Sequence, residues 1–107
     1  MKTKFETIKD VITQTKEKYQ YEGFNIIGIF GSYARGTQNR YSDVDIAYTI
    51  DFNTFNDKYK GGFSKLLHIE EIKNELQKSL GLKVDLISLD ASNANIKQNI
   101  KEDILYV

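Results

Sequence analysis

The 107-residue chain contains no cysteine. Disulfides and Cys-ligated zinc are therefore excluded. It has no apolar run of membrane-spanning length. The first residues, Met1-Lys2-Thr3-Lys4-Phe5, lack the apolar stretch of a signal peptide, so a cytoplasmic protein is the expectation. It has no surplus of charge: Lys+Arg and Asp+Glu are both 15. A large, sequence-independent nucleic-acid surface would call for clustered positive charge, and the balance argues against one. A nucleotide substrate, for which one or two cations suffice, stays open. There is no internal repeat, low-complexity segment or linker. The length fits one domain, residues 1–107, able to bury a modest core.

What is present concentrates between Phe30 and Ala47. An apolar strand, Phe24 to Phe30, runs straight into Gly31-Ser32-Tyr33-Ala34-Arg35-Gly36. Gly31 allows a sharp turn and close approach of a ligand. Backbone N–H groups there, at the start of a short helix over Tyr33 to Gly36, suit phosphate oxygens, and Ser32 can add a hydroxyl or cap that helix. After a polar loop, Thr37 to Tyr41, come Ser42-Asp43-Val44-Asp45-Ile46. On a strand over Asp43 to Ile50, Asp43, Asp45 and Ala47 share one face, with the two carboxylates about 7 Å apart along the chain. They would repel each other unless a cation sat between them. The economical reading is a divalent metal site beside a phosphate cradle, which suits transfer of a phosphate-containing group.

Other segments supply the frame. Thr3 to about Tyr21 reads as an amphipathic helix with a Thr3/Glu6 capping box, a stripe of Phe5, Ile8, Ile12, Thr15 and Tyr19, and a stop at Glu22-Gly23. Gly28 inside the first strand marks close packing. Asp51 to Gly62 is expected to be a loop. Phe63 to Leu80 reads as a long helix, its stripe formed by Phe63, Leu66, Leu67, Ile69, Ile72, Leu76 and Leu80, with Gly81 as stop. Lys83 to Ser88 is a third strand in which Asp85 is the odd carboxylate. Asp90 to Asn95 is a turn, and Asn95 to Leu105 a last helix spaced by Ile96, Ile100 and Ile104. Three strands with helices against one face make a small α/β (α+β) mixed sheet. His68 reads as structural. Arg35 is either a surface residue, a partner for an Asp, or a group that holds the turn or reaches phosphate. Arg40 and Lys65 are weaker triphosphate candidates. The seven tyrosines form no evident base-stacking platform.

G-S-x-x-R-G, a short loop and S-D-x-D followed by an aliphatic residue resemble the signature of the nucleotidyltransferases with the DNA polymerase β-like fold, and the size resembles the minimal nucleotidyltransferases. Gly31, Ser32, Arg35, Gly36, Ser42, Asp43, Asp45 and Ile46 carry the match. The resemblance implies a palm-like core covering most of the chain. It implies a third acidic residue on a later strand, with Asp85 the best match and Asp90 the runner-up. Asp43, Asp45 and Asp85 would then hold two Mg²⁺ ions, Mn²⁺ being equally acceptable to oxygen ligands. Gly31 and Ser32, with Arg35 and Ser42, would bind ATP or another nucleoside triphosphate. With no room for an acceptor-binding domain, a partner protein or a homo-oligomer is implied. The leading form is an antitoxin that adds AMP to a tyrosine of a HEPN-type toxin. The alternatives are a non-catalytic module that neutralises a partner by occlusion, and transfer to a small molecule such as an antibiotic.

Overall fold

The computed structural model describes residues 3–107; Met1 and Lys2, part of the N-terminal stretch read above, lie outside the described residues. Helix α1 (Lys4–Tyr19) is capped by Thr3, whose hydroxyl accepts from the Glu6 amide at 3.1 Å. It buries Ile8, Ile12 and Thr15, as their spacing predicts. A 3-10 turn (Gln20–Glu22) ends at Gly23 in the left-handed region.

Strand β1 (Phe24–Phe30) pairs antiparallel with β2 (Val44–Ile50), and β2 pairs in parallel with β3 (Val84–Ser88). The β1–β2 register is irregular between Ile26 and Gly28. This shifts the alternation by one residue. Phe24, Ile26 and Ile29 therefore face the main core, and Phe30 is turned to the opposite side, where it lines a cleft. Between β1 and β2 lie α2 (Ser32–Arg35) and the expected loop.

Two elements differ from the sequence reading. The segment expected to be a loop contains helix α3 (Phe52–Lys58), capped by Asp51, which accepts from Thr54 N. Its Phe55 is 1% exposed, and the interleaved Asn and Asp residues hid that single anchor. The last helix, α5 (Ala94–Asp103), ends two residues early, and Leu105–Tyr106 form a fourth strand, β4, antiparallel to β1. The sheet order is β3-β2-β1-β4, four strands where three were expected. The expected packing role of Gly28 holds: a Cβ there would collide with Leu105 O and Ile104 Cγ1, so the glycine lets β4 approach.

Helix α4 (Gly62–Leu80) packs with α1 on one sheet face. Its expected stripe is only half used. Ile72 and Leu76 are buried and Ile69 and Leu80 partly so, but Phe63, Leu66 and Leu67 are exposed. Toward its N-terminal end His68 takes the buried position. Val44, Ile46 and Tyr48 join this core from β2. The other face carries Asp45, Ala47, Asp85 and Ile87 and is roofed by α5 through the buried Ile100. Among the described residues no helix is long and apolar enough to cross a membrane.

Candidate active site

The cleft between the sheet and α5 encloses about 730 Å³. Phe30 and Gly31 close one end, Asp45 and Asp85 form the floor, and α5 with Ala91–Asn93 forms the far wall. Asp45 and Asp85 are register partners on adjacent parallel strands, so their side chains leave the same face side by side. Asp45 is half-buried and Asp85 exposed.

Burial pushes the Asp45 carboxyl pKa up; Asp85 and then Asp43 push it further, while Arg35 pulls it down. Three carboxylates thus share one field with a single guanidinium. Gly31 has φ 75°, and a Cβ on it would strike the Asp45 carboxylate. A side chain at this position would be strained at that φ and would push the Asp45 carboxylate aside. Ser32 opens α2 directly beyond it, where first-turn amides have no carbonyl acceptor within the helix.

The structure brings Gly31, Arg35, Asp45 and Asp85 into one cleft, with Ser32 at its edge. Asp43 stands one step ahead of β2 and is exposed. With Ser42 it lines a separate hollow beside Arg40 and Lys83. Ser42 closes the loop: its Oγ accepts from Asn39 N at 3.0 Å. Among the described residues, no group of three His, Cys, Asp or Glu side chains is gathered closely enough to hold a metal ion. The donor chemistry nevertheless fits a hard cation. The carboxylates are oxygen-only ligands whose mutual repulsion a cation would relieve.

The secondary candidates lie elsewhere. Asp90 accepts from Ile50 N and closes the end of β2. Arg40 lies over the Tyr41 ring and donates to its hydroxyl, and Lys65 lies over Phe52. His68 is buried against Glu22 at 2.9 Å. The sequence reading missed the roof of the cleft: Ser92, Asn93, Ile96, Asn99 and Asp103. The signal was available, since Ile96, Asn99, Ile100 and Asp103 follow the three-and-four spacing of one helix face.

A mixed sheet with a Gly-Ser turn and paired carboxylates on one face, all at a substrate-sized cleft, defines a nucleotide-handling transferase of polymerase β-like architecture. The chain belongs to the nucleotidyltransferase domain family, whose model matches residues 8–107. It is 40% identical, over the whole of both chains, to a Methanocaldococcus jannaschii protein provisionally named a protein adenylyltransferase. It is 32% identical to the protein adenylyltransferase MntA of Thermococcus cleftensis, covering 95% of this chain and 94% of that one. A solved structure described provisionally as a minimal nucleotidyltransferase shares the fold with TM-score 0.73 at 20% identity, over 96% and 95% of the two chains. A crystal structure of a toxin-antitoxin with AMP-PNP shares it with TM-score 0.67 at 24% identity, over 91% of this chain and 69% of that one.

Proposed function

We propose that the chain transfers AMP from ATP to a hydroxyl group of a partner protein, with a tyrosine of a HEPN-type toxin as the acceptor. The observation that carries this reading is the pairing of Asp45 with Asp85 on the cleft floor, directly against the Gly31 turn. The names of the relatives and the toxin-antitoxin setting of a structural neighbour support a protein acceptor.

Asp45 and Asp85, with Asp43 from the lead-in to β2, would hold Mg²⁺. When bound, the ion supplies charge to the triphosphate and makes the acceptor hydroxyl more acidic. The Gly31 and Ser32 amides and the Ser32 hydroxyl orient the β- and γ-phosphates. Arg35 adds positive charge at the same end. The acceptor oxygen attacks the α-phosphorus, the bond to the bridging oxygen breaks, and pyrophosphate leaves. Asp85, exposed on the edge strand, takes the hydroxyl proton. The rigid sheet contributes by positioning, since both carboxylates ride on paired strands.

Calorimetry with MgATP tests the site. The native protein is expected to bind, and Asp43→Asn/Asp45→Asn to lose metal-dependent binding. Labelled ATP should then mark a co-purifying partner only with the native protein. A variant that binds no nucleotide yet still neutralises its partner would move the occlusion reading ahead.

A further inference from the structure

Arg35 and Asp103 form an ion pair across the mouth of the cleft, Nη1 to Oδ2, at 2.7 Å. Both residues line the cleft. They come from opposite walls: Arg35 from α2, at the phosphate end, and Asp103 from the last position of α5. That position is electrostatically poor for a carboxylate. The C-terminal end of a helix carries partial negative charge and favours cations. Asp103 is tolerable there because Arg35 faces it.

Both ends of the pair are anchored on one strand. Arg35 follows Gly31, which follows β1 directly. Asp103 is followed by Ile104 and then β4, which pairs with the same strand at Gly28 and Ile29. Gly28 allows this approach, since a Cβ would occupy the place of Leu105 O. One strand thus holds both ends of the pair in register. The two side chains are 50% and 34% exposed, so the pair itself adds little to stability. Its geometry does more. Asp103 takes one guanidinium arm by Nη1, and the planar fork leaves donors pointing away from it.

We propose that Asp103 is a positioning residue of the nucleotide site: it holds the Arg35 fork at the Gly31 turn so that the remaining donors meet the β- and γ-phosphates of the triphosphate. This rests on the nucleotidyl-transfer reading above. It gives β4 a function, because β4 is the element that fixes Asp103. It also separates Arg35 from a merely screening cation. A long side chain already ordered by Asp103 loses less freedom when phosphate binds.

A double-mutant cycle read by calorimetry tests it, with MgATP and AMP as probes. Asp103→Asn should weaken MgATP binding about three- to tenfold, the range for one well-placed charged contact. It should leave AMP binding unchanged, because AMP lacks the β- and γ-phosphates. In an Arg35→Gln background, Asp103→Asn should have no further effect, whereas with Arg35 intact Asp103→Glu should keep most of the native affinity. Should Asp103→Asn fail to fold, Arg35→Lys keeps the positive charge but replaces the planar fork with a single compact ammonium, and it too should weaken MgATP alone. Equal losses for MgATP and AMP, a loss that persists in the Arg35→Gln background, or native affinity in Arg35→Lys would overturn the proposal. A native protein that binds no MgATP would overturn the transferase reading and this one with it. Binding by the native protein with an additive cycle would overturn this one alone.

Discussion

Gly31 meets two independent constraints. Its φ of 75° lies where a side chain is strained, and its missing Cβ leaves the space that the Asp45 carboxylate occupies. Gly31→Ala should therefore cost about 1–2 kcal/mol through backbone conformation alone, with the collision added. It should also displace Asp45, so MgATP binding should fall by more than the stability loss explains. Denaturant unfolding and calorimetry on the same variant check this. A stable variant with native affinity would mean that the turn and the acidic floor are not in contact. At this scale much of the site was legible. Gly31 and Asp45 stand out by residue type and spacing, Asp85 is the odd carboxylate of its strand and is tied to the site through the family resemblance, and Arg35 admits several readings. Asp103 shares the helix face of Ile96 and Ile100, which its spacing shows, but its pairing is not legible, because one carboxylate on a polar helix looks like any solvated side chain. Its meaning appears only when β4 brings it opposite Arg35.

At the scale of elements, α1, α4 and most of α5 were legible from helical periodicity, and β1, β2 and β3 from short apolar or alternating runs. Helix α3 was not legible, because only Phe55 anchors it on the core and its remaining contacts come from distant residues. Lys58 and Tyr59, at its end, reach Glu22 at 2.9 and 3.0 Å. His68 on α4 reaches the same carboxylate at 2.9 Å, and its ring stacks on Tyr59 at 3.9 Å. Glu22 is 7% exposed and so joins three elements through one buried charge. Burial pushes the Glu22 pKa up, but the hydrogen bonds from Lys58, Tyr59 and His68 outweigh it and leave the carboxyl below its usual value. A depressed folded-state pKa gives stability that is present above the unfolded value and lost as pH falls through the folded one. Glu22→Gln should thus cost about 1–3 kcal/mol at neutral pH, the worth of hydrogen bonds to a buried charge. The gap to the native protein should close as pH falls below the ordinary carboxylate range. Urea titrations of both proteins across that range would show it, and a gap that stays constant would mean that the charge is irrelevant and only shape matters. Strand β4 escaped for another reason: two residues carry too little pattern, and Ile104 continues the helical spacing of Ile96 and Ile100 even though the helix has ended.

Across the whole molecule the sheet divides labour between its faces. One face, with Val44 and Ile46, is sealed by α1 and α4; the other, with Asp45 and Asp85, floors the cleft under α5. The strict alternation of β2 makes this division testable on adjacent residues. Ile46 is fully buried, so Ile46→Ala should cost about 2–5 kcal/mol through lost burial and the cavity left behind. Asp45 should respond in the opposite direction. Its carboxyl pKa is raised by burial and by its acidic neighbours, so its charge opposes folding, and the stability it contributes is lost as pH rises through its folded-state value. With divalent cations removed by a chelator, Asp45→Asn should raise Tm at neutral pH, and the advantage should shrink as acidification lets the native Asp45 take a proton. With MgATP present the order should reverse, because only the native floor gains from bound ligand and cation. Thermal melts of the native protein and both variants, with chelator and with MgATP, read all of this at once. A destabilised Asp45→Asn in chelator would mean that the carboxylate belongs to the fold rather than to the cleft.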